Sequence, residues 1–184
     1  TKRMCSFVTL NALALTAALA QVANNPKAND KAVVTCGNAR FTVLTPEMIR
    51  IEYSDKAAFE DRATFTVVNR NLTVPQFTKK EDSQYLYITT SALELKYRKG
   101  SDPRTVPASS ANLSVVVKNH TGKTTWYPGK PDPLNLKGTC RTLDGLMGEG
   151  KRSEMENGLV SRSGWAVIDD SWTTPRSDGG RSYA

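Results

Sequence analysis

Two segments of the chain alternate apolar and charged residues with a period of two. They are residues 48–53, with the sequence MIRIEY, and residues 93–98, with the sequence LELKYR. Successive side chains of a β-strand point to opposite faces, so this pattern predicts two strands, each with one buried and one solvated face. In the first of these strands the solvated positions are Arg50 and Glu52.

Short runs rich in Val, Thr, Tyr and Phe predict further strands. These strands are expected at residues 40–44, 64–68, 85–89, 113–118, 124–127 and 165–169. Pro46 indicates a tight turn, and Gly122 indicates a hairpin loop, because glycine adopts a positive φ without steric cost. No segment after Ala20 has the sustained 3.6-residue period of an amphipathic helix. The predicted fold class is therefore all-β, an antiparallel β-sandwich.

The N-terminus has the pattern of a secretory signal peptide. Lys2 and Arg3 precede an apolar run that ends with the small residues Ala18 and Ala20. We therefore expect removal of residues 1–20, a leader over residues 21–37 and a secreted or periplasmic protein. The apolar run is shorter than the roughly 20 residues that cross a bilayer, so no membrane span is expected in the mature form. A retained membrane anchor is the alternative.

The remaining cysteines and the single histidine limit the chemistry. Cys36 and Cys140 remain after the signal peptide, and an oxidising compartment would allow a disulfide between them. Two free, buried thiols are the alternative, because sequence alone does not show that the two Cα atoms come close enough. His120 is the only histidine and no C-x-x-C pair is present, so no metal site is expected. No cofactor is expected either.

The positive net charge is dispersed along the chain. The value of +7 falls to about +5 when Lys2 and Arg3 leave with the signal peptide. Lysines and arginines are interspersed with acidic residues in residues 47–70 and 79–104, and no basic block is present. This distribution predicts a solvated mixed surface, and nucleic acid is not an expected partner.

Three ordered motifs carry a resemblance to a known family. They are residues 157–171, NGLVSRSGWAVIDDS, residues 135–145, NLKGTCRTLDG, and residues 59–70, which contain FEDRATF followed by VNR. Together they resemble the N-terminal β-sandwich domain of glycoside hydrolase family 31. Two positions depart from the usual pattern, because Ser163 stands where an Asp is common and Lys137 stands where a Gly is common.

The resemblance implies a galactose-mutarotase-like sandwich over residues 38–171, with residues 172–184 leading toward a (β/α)8 barrel. In that family the barrel carries the two catalytic aspartates, so no catalytic residue is expected in this chain. The implied activity of the whole protein is retaining hydrolysis of α-linked glycosides. The implied partners are the downstream barrel of the same polypeptide and an α-linked oligosaccharide or glycoside.

Three residues are candidates for contact with the sugar: Asp169, Asp170 and Trp126. Retaining hydrolysis needs two carboxyl groups about 5–5.5 Å apart across the scissile bond. Adjacent residues on a strand point to opposite faces, so Asp169 and Asp170 would not form such a pair. The alternative is that one of them hydrogen-bonds a turn or a neighbouring domain. Trp126 is a candidate sugar platform, although aromatic residues more often fill cores.

Further residues of the last motif are candidates for an interdomain interface: Leu159, Arg162, Trp165 and Trp172. For Trp165, packing in the core is the alternative. A second hypothesis for the whole chain is a freestanding sandwich that binds carbohydrate or protein without catalysis. An exposed apolar patch along residues 159–172 favours the accessory-domain hypothesis, whereas a closed polar surface favours the freestanding one.

Overall fold

The computed structural model describes residues 25–64, 66–104, 111–119, 122–138 and 155–171 of the 184-residue chain. These residues form eight antiparallel β-strands in two sheets, with one 3₁₀ turn at Asp30–Ala32. The first sheet contains β1 (Val33–Cys36), β2 (Ala39–Thr45) and β3 (Met48–Tyr53) in that order. The second contains, in chain order, β4 (Thr78–Glu81), β5 (Tyr85–Thr89), β6 (Leu93–Arg98), β7 (Leu113–Asn119) and β8 (Gly122–Trp126).

One hydrophobic core lies between the two sheets. Its buried residues are Val34, Ala39, Phe41 and Val43 from the first sheet and Leu86, Ile88, Leu93, Leu95, Tyr97, Leu113 and Val115 from the second. The rings of Phe41 and Tyr97 meet across this layer, with centroids 5.1 Å apart and planes inclined at 57°. The prediction of an all-β chain with two packed antiparallel sheets is therefore confirmed.

Strand β2 is buried on both faces, as strands are when a second layer covers the sheet. Phe41 and Val43 face the core, whereas Arg40 and Thr42 alternate with them and face the other side of the sheet. A long connection between β3 and β4 supplies the cover on that side, and its residues 59–70 contain one of the three motifs. The pattern of β3 therefore predicted the strand correctly, but its charged face is not in water.

Two predicted strands are absent from the structure. Of the first, residues 64 and 66–68 are described and form no strand; the Thr64 amide donates to the Val67 carbonyl at 3.0 Å, and the Thr64 hydroxyl accepts from the Val67 amide at 3.1 Å. Residues 165–169 also form no strand. Both runs have strand-like composition, but β-propensity has its effect through a pairing partner, and neither run has one within the described residues.

Two strands were not predicted from the sequence. Strand β1 lies inside residues 21–37, the expected leader, so the ordered domain begins before Asn38. Strand β4, with the sequence TKKE, has all four side chains exposed and forms because it pairs with β5 at the edge of its sheet. The predicted turn at Pro46 and the hairpin between β7 and β8, which ends at the pair Asn119 and Gly122, are confirmed.

No helix within the described ranges is long and apolar enough to cross a membrane. The expected signal peptide at residues 1–20 and linker at residues 172–184 lie outside those ranges.

Candidate functional site

Three arginines gather on the outer side of the three-stranded sheet, and we call them the arginine cluster. Arg40 projects from β2 and Arg50 from β3, while Arg70 comes from the connection that covers them. The strand register pairs Arg40 with Glu52, which places one carboxylate beside the first two arginines. The sequence predicted a solvated surface for these charges. Arg40 and Arg70 are buried instead, and Arg50 is largely buried, because the 54–77 connection covers this side of the sheet.

Arg40 and Glu52 form a two-pronged ion pair. Nε of Arg40 donates to Oε2 of Glu52 at 2.7 Å, and Nη2 donates to Oε1 at 2.9 Å. Nη1 of Arg40 also lies 2.8 Å from a carboxylate oxygen of Asp61. Burial alone would lower the pKa of Arg40, but Glu52 and Asp61 outweigh it through hydrogen bonds and charge attraction, and the pKa is raised. Arg40 is therefore a permanently charged, fully engaged group.

Arg50 shares the same carboxylate. Its Nη2 lies 2.9 Å from Oε1 of Glu52, and both of its terminal nitrogens donate to the Glu60 carbonyl at 3.0 Å. Burial lowers the pKa of Arg50, and repulsion from Arg70 adds to this effect against the attraction of Glu52. Glu52 therefore pairs with two arginines at once.

Arg70 is the most deeply buried member, with 2 % of its surface exposed. Its Nη1 donates to the carbonyls of Arg62 and Pro26 at 2.9 and 3.2 Å, and its amide donates to the Asn25 carbonyl at 2.8 Å. Arg70 thus links the start of the described chain to the 59–70 motif. The sequence signal for it was its place in that motif, but sequence reasoning gave it no role.

A cavity of about 210 Å³ adjoins the arginine cluster. Arg40, Arg50 and Arg70 line it, together with Lys27, Thr42 and Asp61. Several of these side chains are charged, so the cavity is polar and suits a charged or strongly hydrogen-bonding ligand rather than an apolar one.

A second polar arrangement holds the last motif against the loop after β8. Residues 134–138 and 156–162 run antiparallel, and three backbone hydrogen bonds join them: Leu136 N to Val160 O at 2.9 Å, Gly138 N to Glu156 O at 2.8 Å and Arg162 N to Leu134 O at 3.1 Å. Two of the three motifs are therefore in direct contact.

The carboxylate of Asp132 stabilises this pairing through hydrogen bonds. It accepts hydrogen bonds from the hydroxyls of Ser161 at 2.8 Å and Ser163 at 2.6 Å and from the side-chain Nδ2 of Asn135 at 3.0 Å. Burial alone would raise the pKa of Asp132, but the hydrogen bonds from Ser163, Asn135 and Ser161 together hold it below its usual value. Ser163, which departs from the family pattern, thus has a defined partner here.

Gly158 lies where the two segments come closest, and we predict that Gly158→Ala separates them. A Cβ atom at this position would lie 2.5 Å from the Lys137 carbonyl oxygen and 2.8 Å from its carbon, and backbone atoms cannot easily yield. We expect destabilisation of about 1–3 kcal/mol, the usual cost of overpacking. Hydrogen exchange at the Leu136 and Arg162 amides measures the loss of pairing.

The matched control is Gly138→Ala in the same pairing. There a Cβ atom would lie 3.5 Å from the Glu156 carbonyl oxygen, which is ordinary van der Waals contact. This variant should keep the exchange protection of the two segments. Equal protection in both variants would show that the close approach at Gly158 has no energetic weight.

The two adjacent aspartates have different surroundings. Asp170 accepts a hydrogen bond from the Thr64 hydroxyl at 2.7 Å, so it ties the last motif to the segment in which Thr64 and Val67 are hydrogen-bonded. Asp169 is exposed and accepts from the Ser171 amide at 2.9 Å; hydrogen bonds from the side chain and the backbone of Ser171 lower its pKa. The contact of Asp170 is the hydrogen bond to a turn that the alternative interpretation described. A role of either residue at a sugar stays a prediction.

The tryptophans are placed as follows. Trp126 ends β8, is half-buried and packs against the core. Its ring lies 6.5 Å from that of Trp165, with planes inclined at 58°, so the two residues form a tilted pair at the rim of the sandwich. Trp126 is thus less exposed than its neighbouring loop suggested. Trp172 lies outside the described residues.

Most exposed large apolar residues are concentrated in two segments. Of the eight in the described ranges, Met48 stands alone on β3. The other seven, which we call the apolar strip, are Leu134, Leu136, Met155, Leu159, Val160, Val167 and Ile168. Leu159, with 71 % of its surface exposed, is the most accessible of them, and the nearby Arg162 is exposed as well. The predicted interface residues Leu159 and Arg162 therefore lie at the surface.

Cysteine and metal chemistry add little to this picture. The thiol of Cys36 forms no disulfide within the described residues and is half-buried on β1, and burial raises its pKa. Cys140 lies outside the described residues, so pairing of the two cysteines stays a prediction. No group of three or more potential metal ligands occurs in the part of the chain that the structure describes.

The chain matches no protein-family model and no curated protein.

Proposed function

We propose that this chain is the N-terminal accessory domain of a secreted α-glycosidase of glycoside hydrolase family 31, with a galactose-mutarotase-like sandwich. The domain supports a catalytic barrel and forms part of the wall of its sugar pocket. Retaining hydrolysis is then carried out by aspartates of the barrel. Asp169, Asp170 and Trp126 are the candidate residues through which this domain contacts the sugar.

The apolar strip is the observation that supports this proposal most strongly. Exposed apolar residues are normal when they occur singly, but a concentration of them usually indicates an interaction surface. Here they are concentrated in residues 134–168, the region of the two motifs that lead toward the barrel in the family. A freestanding domain would be expected to have a more polar surface at this place.

The polar contacts behind the strip add further support. Asp132 and the backbone pairing hold residues 156–163 in place, and Asp170 fixes the far end of the motif through Thr64. A segment held at both ends presents its apolar side chains in a fixed arrangement. Fixed side chains lose less conformational entropy on docking than side chains of a free loop.

The test compares this chain with the product of its coding region continued past Ala184. We expect the isolated chain to show no hydrolysis of nitrophenyl α-glycosides and the longer product to hydrolyse at least one of them. Turnover by the isolated chain that is lost in Asp169→Asn or Asp170→Asn would contradict the proposal. A stop codon directly after Ala184 would favour the freestanding binding domain.

Substitutions in the apolar strip test its docking role in the same two proteins. The double variant Leu159→Ser with Val160→Ser should change the stability of the isolated chain by less than about 0.5 kcal/mol, because both side chains are exposed. In the longer product it should lower the melting temperature and the activity. Met48→Ser, at an exposed apolar position outside the strip, is the control and should leave both proteins unchanged. An unchanged longer product would argue against docking through this surface.

A further inference from the structure

The outer face of the five-stranded sheet brings three basic side chains and two tyrosines together. The strand register places Lys80, Tyr87 and Lys96 directly opposite one another on β4, β5 and β6, and Arg98 opposite Tyr85. Residues that are directly opposite in an antiparallel pair lie on the same face of the sheet. The residues that alternate with the tyrosines along β5 are buried in the core, so these five side chains face away from it. We call them the basic face.

The three cations of the basic face are exposed, and none of them forms an ion pair within the described residues. The ammonium group of Lys96 lies 4.0 Å from the centroid of the Tyr85 ring, a cation–π contact that holds the charge over the sheet. The Tyr87 hydroxyl donates to Oδ2 of Asp82 at 3.0 Å, which fixes the second ring. The face therefore presents positive charge that no carboxylate of the described chain matches.

The acidic side chains of the neighbouring strands are paired elsewhere. One carboxylate oxygen of Glu81 lies 2.7 Å from the ammonium of Lys79, and the other lies 2.6 Å from that of Lys99. Both Glu81 and Lys79 alternate with the basic face along β4 and so lie on its other side. Glu94 lies 3.6 Å from Lys118. The charges that are interspersed in the sequence are thus separated by the fold, and an excess of positive charge is left on one face.

The three cations are spread across the sheet rather than gathered in a pocket. Lys80 and Lys96 lie on the two strands that flank β5, so their Cα atoms are about 10 Å apart. Lys96 and Arg98 are two residues apart on β6, which is about 7 Å. A single small anion does not bridge such distances. This arrangement instead matches anionic groups that repeat along a polymer.

The remaining surface of these strands favours a polysaccharide as that polymer. None of the exposed large apolar residues of the described chain lies on β4, β5 or β6, whereas protein interfaces usually have an apolar centre. Single-stranded nucleic acid binds by stacking its bases on open aromatic faces, and Lys96 covers the Tyr85 ring. Thr78 and Thr89, which are paired on the same face, offer hydroxyl groups to a sugar.

We propose that the basic face binds an acidic polysaccharide, whose carboxylate or sulfate groups pair with Lys80, Lys96 and Arg98. The face contains no residue of the apolar strip or of the arginine cluster, and the proposal does not depend on the glycosidase role. Polyuronates and sulfated glycans would use the same charge pairing, and the experiment separates the two.

The test is isothermal titration calorimetry of the purified chain at neutral pH and low ionic strength. Polygalacturonate supplies carboxylates, dextran sulfate supplies sulfates, and dextran is the neutral control. We expect saturable binding of at least one charged polymer, weakened by added salt because exposed charges are screened, and no binding of dextran. The charged polymer that binds more tightly identifies the anionic group. Failure of both charged polymers to bind would overturn the proposal.

Matched variants separate the basic face from the overall net charge of +7. The double variant Lys80→Gln with Lys96→Gln should weaken binding at least about tenfold, which corresponds to about 1.4 kcal/mol. Lys31→Gln with Lys56→Gln removes the same charge from exposed positions outside the face and should weaken binding by no more than about twofold. All four side chains are exposed, so the melting temperatures of both variants should stay close to that of the wild type. Equal losses in the two variants would overturn the proposal, because binding would then follow net charge alone.

Single-stranded oligothymidylate tests the competing class of polymer. At the same concentration of anionic groups we expect it to bind more weakly than the better of the two charged polysaccharides. Tighter binding of the oligonucleotide, lost in the variant of Lys80 and Lys96, would overturn the proposal and assign the face to nucleic acid.

Discussion

Phe41→Ala should remove about 3–5 kcal/mol from the free energy of unfolding, the largest loss that we expect from a single substitution. Phe41 is fully buried in β2, and its ring packs on Tyr97 across the layer between the two sheets. Truncation removes apolar surface from the core and leaves a cavity that the surrounding strands can fill only in part. Folded domains are stable by about 5–15 kcal/mol, so this variant is expected to be close to unfolding. Urea unfolding followed by circular dichroism measures the loss.

Two control variants separate the loss of core packing from a general sensitivity of the domain's stability to substitution. Phe41→Leu keeps an apolar side chain and should lose only about 1–2 kcal/mol, because the remaining cavity is smaller. Tyr87→Ala removes a half-exposed aromatic ring from the opposite face of β5 and should lose about 1 kcal/mol or less. Similar losses in Phe41→Ala and Tyr87→Ala would contradict a core between the two sheets.

Glu52→Gln should cost about 3 kcal/mol, although it changes only one charge. The side chains of Arg40 and Glu52 are 10 % and 13 % exposed, and Glu52 also pairs with Arg50. The amide keeps the shape of the carboxylate but leaves two buried guanidinium groups to repel each other. The main effect is therefore buried positive charge that has lost its counterion, and urea unfolding at neutral pH measures it.

Glu94→Gln makes the same chemical change at the surface. Glu94 is 42 % exposed and lies 3.6 Å from Lys118, so we expect a loss of less than about 1 kcal/mol that diminishes further in salt. The effect of Glu52→Gln should depend little on salt, because buried pairs are weakly screened. Equal losses in the two variants would show that the cover over β2 leaves the arginine cluster open to water.

The strands that sequence reasoning predicted are those with an alternating pattern or a run of β-formers next to a clear turn. Strand β6 follows its prediction closely, because one face packs in the core and the other meets water. Strand β4 has no apolar face, so its sequence has no pattern to read, and it exists through pairing with β5. Residues 165–169, in contrast, have the composition of a strand but have no partner strand within the described residues.

The candidate site was less predictable than the fold. The exposed positions of Leu159 and Arg162 agree with an interface, although the resemblance rather than the pattern indicated them. The arginine cluster was missed because Arg50 and Glu52 alternate with apolar residues just as solvated charges do. Only the connection over β2 removes them from water, and its contacting residue Glu60 lies 10 positions from Arg50 and 20 positions from Arg40.

The sequence by itself determined the class of this protein, because the period of two along β3 and β6 and the turns at Pro46 and Gly122 are local properties of the backbone and its side chains. It also carried the three motifs on which the proposed function depends. The tertiary structure decided which charged face is buried and where the apolar strip is exposed. Both features depend on contacts between distant segments, and a charge or an apolar side chain has no local signal for what will cover it.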